Sequence, residues 1–199
     1  MAITQAPPEF DIVAVAASAG GLRALTAVFG ALPQDFPTAV VVVQHLDPSH
    51  RSLMADILSR RTRLAVREAQ AGDRLEAATI FMAPPDEHLL VNGDGTMSLS
   101  HAARVHFVRP SADLLFESVA SSFGARAICV VLSGTGSDAA TGARAIKRMG
   151  GTVIAQDEAT SEFFGMPGAA IAAGPADLVL PLDKIAGALV SLVTAQSAS

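Results

Sequence analysis

Three apolar runs of the sequence each lead into a residue that could take part in hydrolysis. Ser18 follows the run VAVAA and precedes AGG, His45 follows AVVVVQ, and Asp138 closes SGTGSD after AICVVL. A hydroxyl, an imidazole and a carboxylate can serve as nucleophile, general base and orienting acid of a hydrolytic triad. The carboxyl ends of parallel strands meet at one sheet edge, where ligands bind. This common position favours a serine hydrolase.

Each of the three residues also has a structural alternative. Ser18 could cap the next helix or line a phosphate loop, because AASAG is only close to the nucleophile elbow G-x-S-x-G. His45 could be a structural histidine. Asp138 could be the N-cap or first-turn acid of the helix AATGARAIKRM, where the helix dipole favours negative charge. Local sequence leaves these alternatives open.

Short apolar runs alternate with amphipathic segments along the chain. The strands predicted from them are 12–16, 39–43, 79–83, 127–132, 152–155 and 178–180. Several are apolar at successive positions, as in strands buried on both faces of a parallel sheet. Helical spacing marks segments within 22–32, 53–58, 114–123 and 182–193, and Ser111 can cap the third. The alternation predicts an α/β fold, a three-layer α/β/α sandwich with a mainly parallel, doubly wound sheet.

The segment HLLVNGDGTMSLS, residues 88–100, interrupts this alternation. Its two extended arms flank an Asn-Gly-Asp-Gly turn, which predicts one β-hairpin. The sequence has neither internal repeats nor a linker. We therefore expect a single domain over residues 1–199, with a core of about 10–193.

Composition excludes several classes of protein. The net charge of −5 does not favour nucleic-acid binding, which usually shows a basic excess. The N-terminus lacks the features of a signal peptide, and no apolar stretch is long enough to span a bilayer. The lone Cys129 in an apolar run fits a reducing compartment, so a cytoplasmic location is expected. No zinc-type spacing of histidines and cysteines occurs, and neither a metal nor a cofactor is expected.

Longer motifs resemble the catalytic domain of the CheB family of chemotaxis protein-glutamate methylesterases. They occur in family order and are AASAGG, VVVQH, FMAPPDEH, FVRPSADLLFESVA, VVLSGTGSDAATG, AIKRMGGTVIAQDEATSEFFGMPGAAI and DLVLPL. The resemblance implies hydrolysis of methyl esters on receptor glutamates with release of methanol, and deamidation of certain receptor glutamines. Position by position it implies that Ser18 is the nucleophile, His45 the general base and Asp138 the orienting acid. The implied partners are the cytoplasmic helices of methylated chemoreceptors.

The chain departs from the family pattern at two places near these residues. Ala19 stands where the family usually has threonine, and Thr135 stands where it usually has methionine. A backbone N–H survives either change, so the Thr135 amide can still help to form an oxyanion hole. Ala19, Thr135 and Met166, the last from FFGMPG, are candidates for that hole or for the cleft. Buried packing is the alternative for the FFGMPG segment.

Regulated members of the family carry a receiver domain before the esterase. Only residues 1–11 precede the first predicted strand here. We therefore expect no receiver domain in this chain and activity without a phosphodonor. A receiver domain or a methyltransferase could act as a partner in trans.

The roles of several arginines, and two alternative classes of protein, stay open. Arg109 could orient a substrate carboxylate or pair with an acid. The arginines of SRRTRLAVRE could dock an acidic receptor helix or form a solvated face. Two other classes of protein also remain: a non-catalytic receptor- or partner-binding domain of this fold, and a nucleotide-binding module. The module is disfavoured because AASAGG lacks the G-x-G-x-x-G spacing.

Overall fold

The helices and strands follow the alternation expected from the sequence. The computed structural model describes residues 10–45, 53–174 and 176–194. In chain order its elements are β1 (Ile12–Ala17), α1 (Gly21–Gly30), β2 (Ala39–Gln44), α2 (Met54–Ser59), β3 (Ala65–Glu68), β4 (Thr79–Met82), β5 (His88–Val91), β6 (Met97–Ser100), α3 (Ala112–Phe123), β7 (Ala127–Val131), α4 (Ala140–Arg148), β8 (Thr152–Gln156), α5 (Gly165–Ala172), β9 (Leu178–Leu180) and α6 (Leu182–Thr194).

Within the described residues, seven strands form one parallel sheet in the order β3-β4-β2-β1-β7-β8-β9. The chain first builds outward from β1 through β2, and later returns to place β7 on the other side of β1. The direction of winding therefore reverses beside β1. In open parallel sheets the ligand crevice lies beyond the carboxyl ends of the strands at such a point. Ser18 is the first residue after β1.

Two hydrophobic cores cover the faces of the sheet. Alternate residues of β1 belong to different cores: Ile12 packs with α3, α4 and α5, whereas Val13 packs with α1, α2 and α6. The hairpin of β5 and β6 adds to the first core and is antiparallel. The predicted three-layer α/β/α sandwich with one hairpin is confirmed.

The sequence analysis missed strand β3. Its four residues are largely exposed at the edge of the sheet, so they carry neither an apolar run nor a clean alternation. The strand falls inside SRRTRLAVRE, a segment interpreted only as a charged surface. Its parallel pairing with β4 is a tertiary contact that local pattern does not encode.

The single cysteine lies in the centre of the sheet. Cys129 on β7 is fully buried, and this burial raises the pKa of its thiol far above the ordinary value. Across the part of the chain that the structure describes, no helix has the length and apolar character needed to cross a membrane.

Candidate active site

Ser18 sits in a tight turn between β1 and α1. Its N–H donates to the carbonyl of Ser133 (3.0 Å), which fixes the turn to the end of β7. Gly20 adopts a left-handed conformation with φ of 76°, and a Cβ at this position would lie 2.7 Å from the Ser133 hydroxyl. The second position after Ser18 therefore requires glycine for its backbone angle and for its close neighbours. The turn presents the serine at the start of α1.

Gln44, the last residue of β2, holds this turn in place from the neighbouring strand. Its Nε2 donates to the carbonyl oxygens of Ser18 (2.8 Å) and His45 (3.0 Å). A Cβ on Gly21 would lie only 1.9 Å from Gln44 Oε1, so only glycine fits there. The sequence analysis did not assign a role to Gln44. The available signal was an amide at the end of a run of valines, directly before His45.

Strand register brings His45 beside Ser18. Ala17 and Gln44 are register partners in the parallel pair β1–β2, and the His45 N–H donates to the carbonyl of Ala17 (3.1 Å). The His45 side chain bonds through Nε2 to Asp138 Oδ2 at 2.8 Å. Among the described residues, no hydrogen bond joins the Ser18 hydroxyl to His45, and His45 Nδ1 has no partner. That nitrogen is available to accept a proton.

Asp138 is a buried carboxylate at the amino end of α3. It accepts hydrogen bonds from the Ser111 hydroxyl (2.9 Å) and from the N–H groups of Ala112 (2.6 Å) and Asp113 (3.1 Å). Burial acts to raise the pKa of Asp138. The bonds from His45 and from these backbone groups outweigh it, so the pKa lies below its ordinary value. The carboxylate therefore stays ionised beside His45 at neutral pH.

Asp138 accepts hydrogen bonds from the amino end of a different helix from the one considered from local sequence. The N-cap position of α4 is Ala139, and its geometry includes no side-chain capping bond. Asp138 instead turns back to α3, which Ser111 caps as predicted. A helix amino end favours an anion through its unpaired N–H groups and its dipole. The electrostatic argument holds, but it applies to a helix 26 residues earlier in the chain.

A second buried carboxylate lies next to Asp138. Asp113 Oδ1 accepts from the Gly142 N–H (2.7 Å), and Oδ2 lies 3.3 Å from His106 Nε2 without hydrogen-bond geometry. Burial is the main cause that raises the pKa of Asp113, and the charge of Asp138 adds to it. The sequence analysis did not select Asp113, because its position reads as an ordinary first-turn acid.

The three oxyanion-hole or cleft candidates lie in different surroundings. Ala19 lines the cleft, and Thr135 is exposed on the loop that follows Gly134. Neither backbone N–H has a hydrogen-bond partner among the described residues. A Cβ on Gly134 would lie 2.9 Å from Ser18 Cβ, so this loop passes directly against the serine. The assignment of Met166 to the cleft is corrected, because this residue is fully buried and packs its sulfur against Gly134.

A cleft of about 930 Å³ opens between α1, α2 and the ends of β1 and β2. Ser18 and His45 both line it, together with Leu22, Ile57 and other residues of the two helices. The described residues include no group of three or more His, Cys, Asp or Glu side chains placed to hold a metal ion.

Arg109 lies outside this cleft. Its Nε and Nη2 donate to Asp86 Oδ1 (3.1 and 2.9 Å), and Nη1 donates to the carbonyls of His101 and Ala102. Of the two roles considered for this residue, the structure contains the pairing with an acid. Arg109 ties together the ends of the hairpin region, so the substrate-orienting role has no geometric support here.

Comparisons with known proteins identify the family of this chain. The family model described as CheB methylesterase matches residues 13–189. The chain belongs to the CheB methylesterase family. A crystal structure of the Thermotoga maritima CheB methylesterase catalytic domain superposes with a TM-score of 0.89 at 36% identity. The match covers 94% of this chain and 100% of that one.

Longer CheB relatives are similar over nearly the whole chain. One from Moorella thermoacetica, named protein-glutamate methylesterase/protein-glutamine glutaminase, is 45% identical over 191 residues, covering 94% of this chain and 45% of the relative. A Methanosarcina mazei protein of the same name, numbered 2, is 43% identical over 190 residues, covering 92% and 52%. The chain thus spans about half the length of the curated relatives it matches.

Proposed function

We propose that this CheB-family chain is a serine hydrolase that removes methyl esters from glutamates of chemoreceptors. The observation that carries the proposal is the hydrogen bond between His45 and the buried, ionised Asp138, with His45 held beside Ser18 by strand register. A histidine oriented in this way can act as a general base toward a neighbouring hydroxyl. Family membership and the cleft along α1 and α2 supply further support.

In the first half of the proposed reaction, Ser18 Oγ attacks the ester carbonyl carbon while His45 Nδ1 takes the hydroxyl proton. Asp138 stabilises the imidazolium through its bond to Nε2. The backbone N–H groups of Ala19 and Thr135 are the proposed donors to the oxyanion of the tetrahedral intermediate. The intermediate collapses when His45 returns the proton to the leaving oxygen, releasing methanol and leaving an acyl ester on Ser18.

Water completes the reaction by the same route. His45 removes a proton from the water, which attacks the acyl ester, and the proton then passes to Ser18 Oγ as the glutamate is released. A glutamine amide fits the same sequence, with ammonia as the first product. We therefore propose that the chain also deamidates receptor glutamines, in line with the name that its relatives carry.

The proposed substrates and partners belong to chemotaxis signalling. Methylated chemoreceptors present their glutamates on cytoplasmic helices, so the proposed site of action is the cytoplasm. The lone buried Cys129 is compatible with that reducing compartment. A receiver domain or a methyltransferase acting in trans stays a proposal of the same kind.

Methanol release from methylated receptor fragments tests the function directly. We expect turnover by the wild-type chain and none above background with Ser18→Ala, because the nucleophile is missing. Ser137→Ala is the matched control, since this exposed serine lies one residue before Asp138 yet outside the cleft. A wild-type chain that binds the receptor without turnover would instead support the non-catalytic binding domain.

A further inference from the structure

Two arginines line the cleft beside Ser18, and neither forms an ion pair with a described residue. The chain is acidic overall, with a net charge of −5. On α1 and in the segment that follows α2, four arginines form no ion pair with any described residue: Arg23, Arg60, Arg61 and Arg63. By contrast Arg67, in the same stretch as the last three, lies 3.6 Å from Glu76 and stacks over Phe81. The surface here is suited to an anionic partner.

The structure separates these arginines by position. Arg23 and Arg61 line the cleft that also contains Ser18 and His45, whereas Arg60 and Arg63 are exposed outside it. Arg23 lies in the first turn of α1, near the serine. Arg61 continues a stripe of α2 that begins with Met54 and Ile57, at spacings of three and four residues. The two guanidinium groups therefore belong to opposite walls.

Their separation follows from the packing of α1 and α2. The Thr62 hydroxyl donates to the carbonyl of Phe29 (2.7 Å), which ties the segment after α2 to the carboxyl end of α1. From Gly21 to Phe29 the helix rises about 12 Å. Arg23 is thus close to the nucleophile, and Arg61 belongs to the opposite end of the cleft. Two turns of an α-helix bound along the cleft rise about 11 Å, which is close to the length of α1 between its two ends.

We propose that Arg23 and Arg61 form a specificity site that selects receptor helices with acidic residues one and two turns from the esterified glutamate. This inference rests on the proposed function and names a feature of its substrate. A guanidinium group recognises a carboxylate through paired, charge-assisted hydrogen bonds. The exposed side chains of Leu22 and Ile57 supply apolar contact for the same helix.

The position of the single carboxylate among the described lining residues also bears on where the cleft can bind an acidic side chain. Glu162 lies over the start of α1, with its Cβ 2.9 Å and its Oε2 3.2 Å from the position of a Cβ on Gly20. Negative charge therefore stands at the nucleophile end, where the substrate group is a neutral ester. Arg23 stands at the same end, whereas no carboxylate among the described lining residues lies at the Arg61 end, so the attraction for an acidic side chain two turns from the ester is unopposed there.

Charge reversal tests the specificity site in the full chain. The variants are Arg23→Glu and Arg61→Glu, with Arg63→Glu as the matched control outside the cleft. Each is assayed for kcat/KM on a methylated receptor cytoplasmic fragment and on p-nitrophenyl acetate, a small ester without a helix. We expect the ratio of receptor to small-ester kcat/KM to fall about 3- to 10-fold in each cleft variant, mainly through KM. The fall should shrink at high salt, and Arg63→Glu should change the ratio less than about twofold.

Two results would overturn the inference: ratios within twofold of wild type in both cleft variants, or an equal fall in Arg63→Glu. Binding of the same receptor fragment to Ser18→Ala, with and without each arginine change, separates this inference from the proposed function. Arginine-dependent binding without wild-type turnover would remove the function and keep the specificity site. Wild-type turnover of the receptor fragment that does not depend on Arg23 or Arg61 would keep the proposed function and remove the specificity site.

Discussion

At the scale of single residues, the candidate site depends on how one carboxylate is held. Asp138 is buried, and its hydrogen-bond donors come from Ser111, two backbone N–H groups and His45. These donors compensate the loss of hydration that would otherwise favour the protonated acid. The ionised group in turn directs the Nε2–H of His45 toward itself and leaves Nδ1 for the serine. Orientation of the imidazole is the contribution we assign to Asp138.

Replacement of this carboxylate by an amide should affect turnover and stability together. We expect Asp138→Asn to lower kcat by about 10⁴-fold, the loss found when a triad aspartate is changed this way. Loss of the charged acceptor should also lower the free energy of unfolding at pH 7 by about 1–3 kcal/mol. Methanol release and urea unfolding measure the two effects.

The pH dependence of this stability difference has a defined sign. Since the folded pKa of Asp138 is lowered, the stabilisation by its charge is fully present above the ordinary carboxyl pKa and is lost as pH falls through the folded value. The difference between wild type and Asp138→Asn should therefore shrink in acid. Asp183→Asn, at an exposed carboxylate in the first turn of α6, is the control. A difference that grows as the pH falls would contradict the assignment.

At the scale of elements, the contact between α3 and α4 determines where Asp138 can reach. Gly142 of α4 lies so near α3 that a Cβ there would be 2.5 Å from Phe116 Cβ and 2.9 Å from the Asp113 carbonyl. Its N–H also donates to Asp113. The two helices can approach this closely only because this residue has no side chain. Their separation sets the position of the α3 amino end relative to Asp138.

A single added methyl group at this contact should disturb both stability and catalysis. We expect Gly142→Ala to destabilise the fold by about 1–3 kcal/mol through overpacking, despite the better helix propensity of alanine. It should also lower kcat, because the α3 amino end must shift. Circular dichroism during denaturation and the methanol assay report these effects.

Gly187 of α6 provides the matched comparison for that variant. A Cβ on Gly187 meets no atom within 4 Å, and the residue is exposed in a helix interior. Gly187→Ala should therefore stabilise the protein by about 0.5–1 kcal/mol and leave turnover at the wild-type level. Stabilisation by both alanines would show that α3 and α4 are not packed as described.

At the scale of the whole molecule, one sheet separates two cores and joins them. Leu25 of α1 and Leu115 of α3 are both fully buried, but they belong to opposite cores. Strand β1 contributes side chains to each core in alternation. Loss of either core exposes one face of the same strands, so the two layers cannot unfold independently.

Paired core substitutions test this coupling. Leu25→Ala and Leu115→Ala should each cost about 2–5 kcal/mol, through lost burial and a residual cavity. The double variant should show the sum within about 0.5 kcal/mol, because the two sites share no contacts across the sheet. Urea unfolding followed by circular dichroism and by intrinsic phenylalanine emission should give one coincident transition in every variant. Separate transitions for the two probes would contradict a jointly stabilised sheet.

Much of the fold could be predicted because each buried parallel strand appears in the sequence as a short apolar run. The predicted strand 178–180 agrees with β9, and most others agree within one residue. The exception was β3, whose exposed edge position removes the apolar signal. Strand ends also selected Ser18, His45 and Asp138 as candidates, since position after a buried run is visible in sequence. Gln44 and Asp113 were missed because their roles depend on contacts with distant segments.

The sequence by itself determined the α/β class, the sheet edge that carries the site, and the resemblance to CheB. The first two follow from hydrophobic periodicity and from residue types at strand ends, which are local, and the resemblance rests on the longer motifs. Only the tertiary structure decided why Gly20 and Gly21 follow the serine. The groups that would crowd a side chain at these two positions are Ser133 and Gln44. It likewise decided that Asp138 meets α3, because such contacts depend on strand order and helix packing rather than on neighbours in the chain.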